Sequence, residues 1–203
     1  MLFSKGVRRP RPGRVGARRG LFRRSRCVLD AFEVLISEEE IERRVRALGQ
    51  EIMADYAGKP LTIVAVLTGS LVMLADLMRQ VAMPHRVALV QASSYHGATT
   101  TAGDLAVSEA FLVDVAGRHV LLLDDILDTG RTISEIARRL QARQPLSVRS
   151  AVLLRKIGRQ VVPFEPDYIG FTIPDEFVVG YGLDFDDDYR HLPYIAVYRP
   201  GAS

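Results

Sequence analysis

Cysteine occurs only once among the 203 residues, at Cys27. A lone thiol excludes an internal disulfide framework and makes a reducing cytoplasm the expected compartment. Cys27 has no histidine and aspartate arrangement beside it, so it is assigned no catalytic role. Long apolar runs are missing too. None approaches the roughly 20 residues that cross a bilayer, and no membrane partner is expected. Internal repeats are absent, and the length suits one domain with a sizeable core. The last scarcity is local: residues 1–29 hold no acidic side chain but ten basic ones, Lys5 and nine arginines. The rest of the chain carries 17 basic against 24 acidic groups, a balance of −7. The formal charge of +3 therefore belongs to the N-terminal end, and the body lacks the basic surface of a nucleic-acid-binding protein.

Those first residues are rich in Arg, Gly and Pro and poor in apolar side chains, which is the composition of a disordered segment. Residues 1–27 are read as a disordered Arg-rich extension and 28–203 as one domain. Three readings of the extension stand open. It is a segment with no function of its own, an arm that binds polyanions nonspecifically, or a targeting peptide without the usual amphipathic helix. Any contact with nucleic acid is confined to it. Over the whole chain, 48% hydrophobic and 25% charged residues match an ordinary soluble globular protein.

The body is organised around residues 120–132, Val-Leu-Leu-Leu-Asp-Asp-Ile-Leu-Asp-Thr-Gly-Arg-Thr. Val120 to Leu123 reads as a strand buried inside a parallel sheet. Asp124 and Asp125 stand at its C-terminal end, where open α/β sheets bind ligands. A short polar loop with Gly130 then leads into an amphipathic helix, with Ile133, Ile136, Ala137 and Leu140 on its apolar face. Glycine and hydroxyls before a helix N-terminus make an anion cradle, because free N–H groups and the helix dipole point at the ligand. Carboxylates beside such a cradle repel the anion unless they face its hydroxyls or a bridging Mg²⁺. Together these requirements describe a sugar phosphate. Two plainer readings compete. A helical Asp-x-x-x-Asp metal motif conflicts with the strand before the acids and the glycine after them. A chance acidic turn leaves Thr-Gly-Arg-Thr without a reason.

The flanking segments alternate between helix and strand patterns. Ser37-Glu38-Glu39-Glu40 is a capping box, and Ile41, Val45, Leu48 and Ile52 line one face of the helix it opens. Leu61 to Leu67 is a buried strand that ends at Thr68-Gly69-Ser70, with a helix from about Leu71 to Met78. Arg86 to Ser93 is the next strand, followed by Ser94, Tyr95 and a Gly/Thr-rich stretch to Asp104. Phe111–Val113 and His119–Leu123 flank a turn. Val148 to Leu154 is a strand ending at Arg155-Lys156, and Tyr168–Phe171 and Tyr194–Tyr198 are short strands. The alternation predicts an α/β fold, a twisted, mostly parallel sheet of about five strands with helices on both faces.

Residues 120–132 resemble the signature of type I phosphoribosyltransferases, with an aspartate at 128 that marks the purine-salvage branch acting on 6-oxopurines. Residues 173–184, Ile-Pro-Asp-Glu-Phe-Val-Val-Gly-Tyr-Gly-Leu-Asp, resemble the base-binding segment of hypoxanthine-guanine phosphoribosyltransferases. The resemblance runs from about residue 30 to 198. It implies the type I phosphoribosyltransferase fold with a small hood, drawn from about 28–36 and 157–203. It implies transfer of the 5-phosphoribosyl group from phosphoribosyl pyrophosphate to N9 of hypoxanthine or guanine, with Mg²⁺ as cofactor, in a homodimer or homotetramer.

The resemblance also distributes the roles. Asp124, Asp125, Ile126, Leu127, Asp128, Thr129, Gly130, Arg131 and Thr132 hold phosphoribosyl pyrophosphate, together with Thr68, Gly69 and Arg190. Asp128 is the catalytic base at N7. Lys156 donates to the oxygen at C6 of the purine, Phe177 stacks on the ring, and the backbone at Val178 and Asp184 reads its edge. Asp184, Asp124 and Asp125 are the metal ligands. Ser94 and Tyr95 begin a lid that excludes water. The turn at Leu67–Thr68 is expected to contain a cis peptide. Asp124 stands where glutamate is common in such proteins, and Thr68 where lysine or asparagine is common. Two other functions stay open: a catalytically weak regulator that binds nucleotides or RNA, and a transferase that prefers xanthine.

Overall fold

A computed structural model of the chain describes residues 32–94, 105–107 and 114–199, without the side chains of 92–94 and 105–107. The expectations for residues 1–31, for Tyr95 to Asp104 and for the strand Phe111–Val113 lie outside the described residues. In chain order the elements are β1 (Glu33–Ile36), α1 (Glu38–Tyr56), β2 (Leu61–Leu67), α2 (Leu71–Gln80), β3 (His85–Ser94) and β4 (Leu105–Val107). There follow β5 (His119–Leu127), α3 (Arg131–Gln141), β6 (Ser147–Lys156), β7 (Tyr168–Ile173), β8 (Val178–Val179) and β9 (Ile195–Val197).

The large sheet has the order β4-β3-β2-β5-β6-β7. Five of its strands run parallel, and β4 is antiparallel to β3 at one edge. Strand side chains alternate between faces, and here both faces are covered. Ile63, Ala65, Leu121, Leu123, Ala151 and Leu153 pack with Ile41, Val45, Leu48 and Ile52 of α1 and with Met73 and Leu77 of α2. Val64, Val66, Val120, Leu122 and Val152 pack on the other face against Ile133, Ile136, Ala137 and Leu140 of α3. That double covering is why β5 reads as an unbroken apolar run rather than an alternating one. Each fully buried leucine of β5 contributes roughly 1.5–3 kcal/mol through burial.

The capping box opens α1 as expected. Ser37 Oγ accepts the Glu40 amide at 3.3 Å, and Glu40 Oε2 accepts the Ser37 amide at 2.9 Å. The far end of α1 is tied to the sheet at the N-terminal edge of its strands. Tyr168 Oη donates to Asp55 Oδ2 at 2.6 Å, and Arg149 Nη1 donates to the same oxygen at 2.8 Å.

A second sheet, β1-β9-β8, is antiparallel. Val179, Leu192, Tyr194 and Ala196 form its core, packed by Phe32, Phe185, Tyr189 and Tyr198. Strand β7 pairs with β6 in the large sheet, although it lies within the span expected for the hood. Among the described residues no helix is long and apolar enough to cross a membrane.

Candidate active site

Parallel strands bring their C-terminal ends to one edge of the sheet. There β2 ends at Leu67, β5 at Leu127 and β6 at Lys156. A cleft of about 350 Å³ opens at this edge, lined by Thr68, Gly69, residues 124–130, Thr132, Asp184 and Arg190. Segments read separately in the sequence, the turn after β2, the acidic end of β5 and the segment after β8, thus share one cavity.

The phosphate cradle is built by Gly130. Its φ of +80° puts it in the left-handed region as the cap of α3, and no side chain caps the helix. No acidic residue stands in the first turn of α3. The first amides are therefore free for an anion, and the helix dipole favours it. A side chain at 130 is excluded by space as well, since a Cβ there would lie 2.3 Å from the Val162 carbonyl oxygen.

The acid pair is buried more deeply than its polarity alone would suggest. Asp124 is 6% exposed. Burial, and then the charge of Asp125, hold its carboxyl well above the usual carboxylate range. Burial raises Asp125 too. The Asp125 amide donates to Asp124 Oδ1 at 3.1 Å, and the Ile126 amide to Asp125 Oδ1 at 2.8 Å. The other Asp125 oxygen presses on the turn after β2: a Cβ on Gly69 would lie 1.5 Å from Asp125 Oδ2. Close approach of this carboxylate therefore requires glycine at 69. The peptide Leu67–Thr68 is cis.

Arg190 Nη1 lies 2.8 Å from Asp184 Oδ1 and donates to the Gly182 carbonyl at 2.8 Å. Its Nη2 pairs with Asp187 Oδ1 at 2.8 Å. Asp187 thus helps to hold the arginine. The Asp187 amide donates to Asp184 Oδ2 at 3.0 Å, so both Asp184 oxygens are engaged.

Other expected site residues lie apart from this cavity. Arg131, the first residue of α3, is exposed and does not line it. Lys156 lines a neighbouring depression with Gly158, Gln160 and Thr172. Its side chain is 10% exposed, and its Nζ lies 3.5 Å from Asp175 Oδ1. Phe177 is half exposed and meets Phe185 edge to face, with centroids 5.9 Å apart. Val178 is buried in β8. Ser94 ends β3, and Tyr95 lies outside the described residues.

Two residues escaped the sequence reading. Arg159 Nε donates to Asp128 Oδ1 at 3.0 Å and lies 3.4 Å from Asp175 Oδ1. Arg159 stands on no periodic face and in no motif, and Asp175 carries no role in the 173–184 segment; the folded loops after β6 and β7, which bring the two together, reveal them.

The chain matches the phosphoribosyl transferase domain family over residues 35–186. It is 41% identical over 170 residues to a hypoxanthine-guanine phosphoribosyltransferase of Streptococcus pneumoniae, covering 84% of this chain and 94% of that one. It is 41% identical over 165 residues to a hypoxanthine phosphoribosyltransferase of Salmonella typhimurium, covering 80% and 93%. A crystal structure of a hypoxanthine phosphoribosyltransferase from Staphylococcus aureus superimposes with a TM-score of 0.81 at 37% identity, covering 87% of this chain and 97% of that one.

Proposed function

The chain belongs to the phosphoribosyl transferase family, and on that premise we propose that it transfers 5-phosphoribose from phosphoribosyl pyrophosphate to N9 of hypoxanthine or guanine. The observation that carries this reading is the shared cleft, where an uncapped helix N-terminus and a buried acid pair meet the Thr68–Gly69 turn and Arg190. The 5′-phosphate sits on the free amides from Thr129 to Thr132. Asp124 and Asp125 face the ribose hydroxyls. Arg190 and the amides of the Thr68–Ser70 turn hold the pyrophosphate, whose negative charge grows as it leaves.

In the reaction the N9–C1 bond forms while the bond from C1 to pyrophosphate breaks, and its electron pair departs with pyrophosphate. The proton on N7 passes to the Asp128 carboxylate. Lys156, nearly buried, donates to the oxygen at C6. A buried donor of this kind rejects a base that lacks the acceptor by a large factor. Phe177 offers its ring for stacking, and the backbone near Val178 and Asp184 meets the C2 side of the base.

The donor set fits Mg²⁺. This ion characteristically takes one or two carboxylates and completes its shell with substrate phosphates and water. Among the described residues no cluster of three or more His, Cys, Asp or Glu is arranged to hold a metal unaided. One or two of the candidate ligands Asp124, Asp125 and Asp184 would share the ion with the substrate, and when bound it supplies positive charge against the leaving group. The protein is proposed to act in the cytoplasm as a homodimer or homotetramer. A regulator without catalysis is disfavoured, because the relatives at 41% identity are named as enzymes.

The test is a discontinuous assay with phosphoribosyl pyrophosphate, Mg²⁺ and each of hypoxanthine, guanine, xanthine, adenine and uracil. Monophosphate from hypoxanthine or guanine, lost on adding a chelator, is the expected result. Asp128→Asn should lose about 10²–10⁴-fold in kcat while still binding both substrates. Absence of product from every base, with the protein folded, would overturn the reading.

A further inference from the structure

Four charged side chains stand in a row between the phosphate loop and Lys156. Arg159 Nε lies 3.0 Å from Asp128 Oδ1 and 3.4 Å from Asp175 Oδ1, and Lys156 Nζ lies 3.5 Å from that same Asp175 oxygen. One N–H donor thus lies between two carboxylates, and one carboxylate between two cations. Only the contact with Asp128 has hydrogen-bond geometry.

The backbone sets this arrangement. After Lys156 the chain turns at Gly158, whose φ is +75°. The loop then docks on the phosphate loop, where the amides of Val161 and Val162 both donate to the Thr129 carbonyl at 3.0 Å. Arg159 is therefore held within reach of Asp128 whatever its side-chain freedom. That freedom is real, since the side chains of Arg159, Asp128 and Asp175 are 46%, 36% and 49% exposed. Lys156, at 10%, is the one member largely removed from water.

The Arg159 contact competes with the role given to Asp128. A carboxylate oxygen that accepts a guanidinium N–H is a poorer acceptor for a proton from the purine. The remedy lies in the row itself. We propose that Asp175 is a positioning residue that exchanges cations as the purine binds. Lys156 leaves it for the oxygen at C6, Arg159 moves onto it from Asp128, and the freed Asp128 carboxylate takes the N7 proton. This exchange rests on the roles given above to Asp128 and Lys156, and it couples their two tasks. A base without an oxygen at C6 does not draw Lys156 away, so Asp128 stays covered. Discrimination then appears in kcat as well as in KM.

The test is a double-mutant cycle in steady-state kinetics with hypoxanthine, on the full chain, using Asp175→Asn, Arg159→Gln and the pair. Asp175→Asn should lower kcat about tenfold, in line with loss of a charged hydrogen-bond acceptor, and leave KM for phosphoribosyl pyrophosphate unchanged. Asp175→Glu should restore most of the loss, which separates the exchange from a folding defect. In the Arg159→Gln background, where nothing covers Asp128, Asp175→Asn should change kcat by less than about twofold. Losses that simply add, or an Asp175→Asn enzyme with normal kcat, would overturn the exchange. Asp128→Asn is measured alongside. If it is inactive while the cycle is additive, the exchange alone is wrong; if it is fully active, the assignment of the base beneath it is wrong.

Discussion

Replacing Gly69 by alanine tests how the turn after β2 and the acid pair of β5 fit together. The added methyl carbon would stand 1.5 Å from Asp125 Oδ2 and 2.4 Å from its Cγ, so the carboxylate must swing aside or the turn must withdraw. Swinging aside costs the 2.8 Å bond that Asp125 Oδ1 accepts from the Ile126 amide. A hydrogen bond to a charged group contributes about 1.5–3 kcal/mol, and each kcal/mol lowers the Tm of a chain this size by about 2–4 °C. The expected fall in Tm is therefore roughly 3–12 °C. The displaced carboxylate also leaves the ribose hydroxyls, so kcat/KM for phosphoribosyl pyrophosphate should drop about 10- to 100-fold. Thermal unfolding and steady-state kinetics read the two effects. A second substitution separates them. In an Asp125→Ala background both the obstruction and that bond are already gone, so adding Gly69→Ala should lower Tm no further while activity stays low. Unchanged Tm and activity in Gly69→Ala, or an undiminished fall in Tm on adding it to Asp125→Ala, would refute the close approach.

Three further perturbations probe other parts of the molecule. Tyr168 Oη, bonded to Asp55 at 2.6 Å, holds that carboxyl below its usual range. A carboxyl lowered in the folded state stabilises the fold above the ordinary carboxylate range and loses that contribution as pH falls through its folded value. Tyr168→Phe should thus cost about 1 kcal/mol at pH 7, allowing for the exposure of Asp55. Denaturant titrations should show the difference closing below about pH 4. Ser37→Ala, which removes the hydroxyl half of the capping box on α1 and leaves the Ser37 amide to donate to Glu40, should cost about 1 kcal/mol in the same titrations with no change in KM. Lys156→Met should lower kcat/KM for hypoxanthine about 100-fold and leave the poor rate with adenine nearly unaltered, measured by competition between the two bases. An equal loss for both would mean that the lysine supports the fold rather than the choice of base.

The elements could be read locally because their signals are local. The Ser37–Glu40 box and the spacing of Ile41, Val45, Leu48 and Ile52 needed no partner to mark α1. The unbroken apolar run before Asp124 announced a strand covered on both faces, and Gly130 announced the start of α3. The acid pair, the phosphate loop and the turn after β2 were each visible, since each lies within a few residues at a strand end.

What joins them was decided by the sheet order β3-β2-β5-β6-β7, which brings together residues far apart in the chain. The pressing of Asp125 on Gly69, the bond from Arg159 to Asp128 across 31 positions, and the insertion of Asp175 between Arg159 and Lys156 are products of that order. So are the exceptions. Arg131 sits inside a continuous run of ligand-like residues, yet as the first residue of α3 it stands exposed and outside the cleft lining. β7 looked like part of the hood until its pairing with β6 placed it in the large sheet. Periodicity and capping act over a few residues, so the chain alone determined which segments are helices, strands and phosphate loops. Burial, ion pairing and close approach depend on which strand ends become neighbours, and only the folded sheet decides that.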